Sequence, residues 1–220
     1  MPRRLMTSYT PPDGPLAVLY RDDDLLLVDK PSGLLSVPGK PESHRDCLET
    51  RVKAAFPEAL LIHRLDMETS GVMVFAMNPR AQKLINGQFE RRIVKKTYVA
   101  RVDGVLAADA GQIDLPLIAD WPNRPLQKVC RETGKPARTR WQVLARERTA
   151  TRVELRPETG RSHQLRVHMM SIGHPILGDP FYADDPIWLA APRLQLHALA
   201  LSLRHPDGGA WRRFSAPCPF

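Results

Sequence analysis

Asp66 stands in LIHRLDMETSGVMVFA (residues 61–76), with His63 and Arg64 just before it and Thr69-Ser70-Gly71 just after. A carboxylate flanked by cations, in a loop between β-type runs, can keep its charge in a partly dry cleft. Such a group can serve as a nucleophile, a general base or a stabiliser of an oxocarbenium-like sugar. The same residues also fit a structural Asp–Arg pair at a strand entry.

A second polar cluster lies in ETGRSHQLRVH, Glu158 to His168. Gly160 breaks the chain after a strand, and Ser162 is expected to cap the helix that follows. Arg166 then lies on the same helical face as Ser162 and His163. Helix N-termini bind phosphate through unpaired N–H groups, and Arg adds a two-pronged donor. A capped amphipathic helix with a solvated polar face explains the same residues. His168 falls on the apolar stripe and reads as a core histidine.

Tyr98, in Lys95-Lys96-Thr97-Tyr98, alternates onto the face of Ala100 and Val102. It can stack on a base, relay a proton or simply fill the core. Asp120-Trp121-Pro122-Asn123-Arg124-Pro125 joins an indole and a guanidinium in a stiff loop, ahead of Lys128, Arg131 and Lys135. That combination suits splayed single-stranded RNA, and equally a plain structural turn.

The elements that must position these groups are short. Leu16–Tyr20 and Leu25–Asp29 flank an acidic turn as a hairpin, and KPSGLLSVPG is a loop. Asp46 and Glu49 predict a capping box for a helix bearing Leu48, Val52, Ala55 and Phe56, which Pro57 stops. Gly71–Met77 is a central strand, greasy on both faces. Asn78-Pro79 starts a helix whose buried stripe is Ala81, Leu84, Ile85 and Phe89. Thr97–Val102 is a strand. Thr139–Ala145 with Thr151–Arg156 forms a hairpin that points Trp141, Val143, Val153 and Leu155 inward. A helix through Leu165, His168, Met169 and Ile172 ends at Gly173, and Pro206-Asp207-Gly208-Gly209 turns a last hairpin. Hairpins with single helices between them predict an α+β fold with a mixed, mostly antiparallel sheet.

The 220 residues are 43% hydrophobic, so a core can form and disorder is not expected. The net charge of +8 favours an anionic partner such as RNA, although a merely basic surface gives the same number. Cys47, Cys130 and Cys218 form no CxxC pair, so neither a disulfide framework nor a zinc site is expected, and the set suits a reducing cytosol. No apolar run is long enough to span a bilayer, and the Pro-rich start, with no apolar run after its basic pair, is not expected to be a signal peptide. Residues 1–15 read as an extended arm and 16–220 as one domain.

Taken together, these segments resemble the RluA family of pseudouridine synthases. HRLDxxTSG, centred on Asp66, is similar to that family's signature. The likeness continues through KPSGL (Lys30–Leu34), KTYVARV (Lys96–Val102), DWPNRP, GKPA (Gly134–Ala137), TGRSHQLRVHM (Thr159–Met169), GHPILGDPFY (Gly173–Tyr182) and LHA (Leu196–Ala198). In family order, they cover about residues 16–203. Chain length, the lack of a separate N-terminal RNA-binding domain and DWPNRP most resemble members that act on both large-subunit ribosomal RNA and tRNA.

The resemblance implies a single catalytic domain with its cleft across the sheet, and an isomerase that detaches uracil from ribose and rejoins it through carbon 5. It makes Asp66 the catalytic aspartate, Arg161 the arginine that pairs with it, and Tyr98 the tyrosine against the target base. Leu165 matches the apolar residue packing in the active site, and Arg64 the arginine that fills the gap left by the flipped base. His63, Lys96, Trp121, Arg124 and Arg166 are expected to help hold RNA, the tRNA anticodon stem-loop included. No cofactor or metal is expected, and a cytoplasmic monomer is. The alternatives are a non-catalytic RNA-binding or chaperone protein on the same scaffold and a base-releasing glycosidase.

Overall fold

The computed structural model describes residues 9–220, so residues 1–8 of the expected arm lie outside the described residues. In chain order the strands are β1 (Ala17–Arg21), β2 (Leu25–Lys30), β3 (Leu60–Leu61), β4 (Ser70–Ala76), β5 (Lys95–Asp103) and β6 (Ala110–Asp114). They continue as β7 (Leu117–Ala119), β8 (Gln127–Val129), β9 (Arg138–Arg146), β10 (Ala150–Pro157), β11 (Leu196–Arg204) and β12 (Trp211–Ser215). The helices are α1 (Leu48–Ala55), α2 (Pro79–Glu90), α3 (Gln164–Ser171) and α4 (Asp185–Leu189). The backbone divides into two compact units. One holds residues 9–96 with 197–219 and is called the Asp66 unit; the other holds 97–196 with 220 and is called the Tyr98 unit.

In the Asp66 unit, β1 and β2 form the expected hairpin. Asp22 makes the turn by accepting the N–H groups of Asp24 (2.9 Å) and Leu25 (2.7 Å). β2 pairs antiparallel with β4, whose seven residues are all buried. The period-2 alternation splits their side chains between two cores. Leu25, Leu27, Val72 and Val74 face one cluster, with Ala81 and Ile85 of α2. Leu26, Val28, Met73 and Phe75 face the other, with Leu48 and Val52 of α1. A strand covered on both faces has no polar side to show, which is why β4 reads as unbroken apolar sequence.

β4 meets β11 in parallel register, Ser70 opposite His197 and Gly71 opposite Ala198. Ser70 Oγ and His197 Nδ1 lie 2.9 Å apart, joining the TSG and LHA motifs. Gly71 has φ +115°, and a Cβ there would lie 2.3 Å from the Ala198 carbonyl oxygen. Gly71→Ala therefore combines an unfavourable φ with a backbone clash. We expect a loss of at least about 1–3 kcal/mol, read as a Tm drop of several °C in a thermal melt. An unchanged Tm would show that β11 yields at no cost.

Two helix details differ from expectation. The α1 cap is Cys47, in a box with Thr50, because Asp46 is held by Arg51 through two 2.7 Å contacts. On α2, Asn78 caps as expected, yet Leu84 is exposed. The buried fourth position is Gln88, whose amide accepts from Arg204 N–H and donates to Arg204 O, both at 2.8 Å.

In the Tyr98 unit, β5, β10, β9 and β6 form an antiparallel series, and β7 and β8 make a separate ribbon. Trp141, Val143, Val153 and Leu155 point into one core with Tyr98, Ala100 and Val102, as their spacing predicts. Residues Gln164 to Met169 of α3 are all buried, so this helix has no solvated polar face in its first turns. His168 is the expected core histidine, with Thr139 Oγ1 at 2.9 Å and the Leu115 carbonyl at 3.0 Å. Ser162 does not cap α3. The N-cap is His163, at φ 52°, and Gln164 Oε1 takes the Arg161 N–H (3.0 Å) and the Thr159 hydroxyl (2.7 Å) instead. The fold is thus α+β. Within the units every strand pairing but β4–β11 is antiparallel, as expected of a mixed sheet.

Candidate active site

Asp66 lies in the loop between β3 and β4 and is half-buried. The loop following β2 grips the backbone around it on both sides. Ser36 Oγ donates to Leu65 O (2.6 Å) and accepts from Leu65 N (3.1 Å). The Gly33 N–H (3.0 Å) and Lys30 Nζ (2.8 Å) both reach Met67 O. Ser32 Oγ donates to Glu68 O (2.7 Å), and the Thr69 N–H closes a turn onto Asp66 O (3.1 Å). With the carbonyls before and after it tied down, Asp66 has little backbone freedom left, and the point from which its side chain projects is set in advance.

Lys30 is the centre of this clamp. Its side chain is fully buried, and Nζ also donates to Pro31 O (2.8 Å) and Leu34 O (2.6 Å). An ammonium away from water is stable only with such partners. Lys30 and Ser36 were not among the sequence candidates. The one trace of them is a Lys closing an otherwise apolar strand just before a Pro-Ser-Gly turn.

Arg64 is exposed, two residues ahead of Asp66. His63 turns inward: Nε2 accepts the Val74 N–H (3.2 Å), and the ring stacks on Phe89 with centroids 5.0 Å apart. Burial first, and then the Lys96 charge, pushes its pKa down to about 3. The imidazole is therefore neutral at neutral pH and completes the β4 hydrogen bonding. Lys96 is itself pushed down to about 8, chiefly by burial and secondarily by Arg92, so its positive charge fades above that pH.

The depressed His63 value fixes the sign of a pH effect. Between its ordinary 6.5 and about 3 the unfolded chain binds the proton and the folded chain does not, so stability falls as pH drops through that window. His63→Gln should flatten this part of the stability–pH curve measured by denaturant unfolding. An equally steep curve in the variant would place the titration elsewhere.

In the Tyr98 unit, Tyr98 and Leu165 come together in one core cluster, Leu165 buried and Tyr98 half-buried at its margin. Arg161 is half-buried, and its Nε donates to Pro136 O (3.2 Å). Arg166 departs from the expected RNA-facing position at a helix start. It is 2% exposed and grips Asp179 through Nε–Oδ2 (2.8 Å) and Nη2–Oδ1 (2.6 Å). Its guanidinium packs on the rings of Phe181 and Tyr182, 5.0 and 5.2 Å from their centroids. Asp179 Oδ1 also accepts the N–H groups of those two residues (2.8 and 3.2 Å), so this pair organises the GDPFY segment. Nothing local to either residue announces this pairing across 13 positions. Trp121 is 68% exposed, with the Arg124 guanidinium 3.8 Å from its ring centroid. Ring and cation are thus presented together to solvent, as stacking on a splayed base requires.

Comparison with known proteins bears on this arrangement. A family profile described as RNA pseudouridylate synthase matches residues 24–171. The dual-specificity RNA pseudouridine synthase RluA of Escherichia coli (strain K12) is 54% identical over 98% of this chain and 99% of its own. The protein of that name from Vibrio vulnificus (strain CMCP6) is 51% identical over 98% of this chain and 88% of its own. Among solved structures, human RNA pseudouridylate synthase domain containing 1 superposes with TM-score 0.80 and 28% identity, covering 96% of this chain and 87% of that one. Human RNA pseudouridylate synthase domain containing 4 gives TM-score 0.74 at 28% identity, with 92% and 88% covered.

Proposed function

The chain belongs to the RNA pseudouridylate synthase family and isomerises uridine in RNA to pseudouridine, and from that premise we propose that Asp66 is the carboxylate that does so. The observation that carries this reading is the backbone clamp on both sides of Asp66, since a fixed point of projection is what a group acting on one sugar carbon needs. The target uridine must leave its stack, at a cost of about a few kcal/mol. Asp66 then either attacks the anomeric carbon, displacing uracil, or removes the 2′ proton to give a glycal. In both routes the freed base turns and carbon 5 bonds to the anomeric carbon. That step expels the Asp66 carboxylate from its ester in the first route and returns the proton to carbon 2′ in the second. The carbon-5 proton then departs and nitrogen 1 takes one up. By the family resemblance Tyr98 matches the tyrosine that packs on that base and is the candidate to take the proton, while Arg161 matches the arginine that pairs with the catalytic carboxylate.

The substrates we assign are large-subunit ribosomal RNA and tRNA anticodon stem-loops, supported by the identity to enzymes named as dual-specificity. Exposed Arg64, Trp121 and Arg124 and the net charge of +8 supply contacts to RNA. We further assign a cytoplasmic monomer; no helix among the described residues is long and apolar enough to cross a membrane. Chemical mapping of pseudouridine in total RNA, from cells with and without the gene, tests the substrate assignment. Sites in both RNA classes should vanish with the gene. If sites disappear from one class alone, dual specificity falls; release of free uracil by the purified protein would mark a glycosidase instead.

A further inference from the structure

The carboxy-terminal hairpin carries a feature that the reaction does not use. On β12 the side chains alternate. Phe214 packs inward against Tyr20, with ring centroids 4.9 Å apart, and Trp211 and Arg213 take the opposite face. Trp211 is 44% exposed. It lies across from Arg204 in the β11–β12 register, and two cations flank its ring: Arg204 Cζ at 5.1 Å and Lys95 Nζ at 5.2 Å. Lys95, Arg204 and Arg213 are all exposed, and none is ion-paired with a carboxylate among the described residues. Several surface arginines elsewhere differ in having an acidic partner: Arg45, Arg80, Arg138, Arg140 and Arg156. Cation–π contacts at an exposed indole stabilise the fold only modestly, by about 0.5–1 kcal/mol each. The arrangement answers well to a strand with a base to stack and phosphates on either side.

We propose that this face of the β11–β12 hairpin is a second RNA-contact surface, where an unpaired base stacks on Trp211 and Lys95, Arg204 and Arg213 neutralise the neighbouring phosphates. The reading rests on the proposed function only in taking RNA as the partner. Its place would be to hold single-stranded RNA flanking the modified loop.

Binding of a labelled oligouridylate and of a labelled blunt RNA duplex to the full chain, measured over a salt series, tests the proposal. Trp211→Ala should weaken oligouridylate binding about fivefold or more and duplex binding little, and Trp211→Phe should recover most of the loss. Lys95→Gln with Arg213→Gln should flatten the slope of log affinity against log salt by about 1.4, at roughly 0.7 per phosphate contact. All three side chains are exposed, and thermal melts check folding; should the double variant melt early, Lys95→Gln alone gives half the slope change. Wild-type oligouridylate affinity in Trp211→Ala, an equal loss on the duplex, or an unchanged salt slope would each overturn the surface. Absence of pseudouridine on every RNA would instead overturn the catalytic reading and leave these binding results to be judged by themselves.

Discussion

Asp66→Asn should bind RNA about as well as the parent chain and form essentially no pseudouridine. Asn keeps the shape of the side chain but can neither form an ester at an anomeric carbon nor accept a proton from carbon 2′. Loss of a general base alone costs about 10²–10⁴ in rate, and loss of a nucleophile is more complete. The backbone contacts of the loop do not involve the carboxylate: Thr69 N–H reaches the residue-66 carbonyl, and the clamp holds Leu65, Met67 and Glu68. A thermal melt of the variant beside the activity assay separates lost chemistry from a lost fold. Removing one negative charge near phosphates leaves affinity equal or slightly improved. Nucleoside analysis of RNA treated with the variant, beside a binding titration, gives both readings. Turnover within about tenfold of the parent would end the assignment of Asp66, because no acid–base role is that small. Intact binding with intact chemistry elsewhere would then point to another group in the loop. The family place of the chain argues against a protein that only binds RNA, yet Asp66→Asn is the variant that would turn it into one.

How far sequence reaches in this chain depends on the range of the interaction. The β1–β2 hairpin, β4 and the β9–β10 pair follow from patterns repeated over a few residues, and they form where the alternation places them. Caps depend on competition between neighbours. Asp46 is a better cap by residue type, but Arg51 claims its carboxylate and leaves the role to Cys47. Ser162 loses α3 because the helix starts one residue later, with His163 in left-handed backbone at the N-cap. Arg166 looked like a phosphate ligand on charge alone; its buried partner Asp179 belongs to a different segment, and nothing local announces it. Asp66 itself was legible from its motif. What holds Asp66 was not, since Lys30 and Met67 are 37 positions apart and are joined through a backbone carbonyl that every residue type provides.

That invisible support makes the last prediction a severe one. Lys30→Met keeps the length of the side chain and removes its charge, leaving the Pro31, Leu34 and Met67 carbonyls without their ammonium donor in the interior. Charge-assisted hydrogen bonds are worth more than neutral ones, and orphaned buried acceptors cost about 1–3 kcal/mol each. Relief from burying a charge offsets part of this, so a net loss of roughly 2–5 kcal/mol is expected. In a chain of this size that is a Tm drop of roughly 5–20 °C. Met67 O retains the Gly33 N–H, so the loop should loosen before it detaches. Where the variant is still folded, kcat should fall steeply while RNA affinity changes little, because the damage lies in the direction of the Asp66 carboxylate. Ser36→Ala offers a milder version that frees Leu65 alone, and it should show the same split between kcat and binding with a smaller melt shift. If both variants lose stability yet turn over at the parental rate when folded, the clamp holds the fold together and does not aim the carboxylate. If Lys30→Met melts like the parent, the buried ammonium is not what fixes this loop at all.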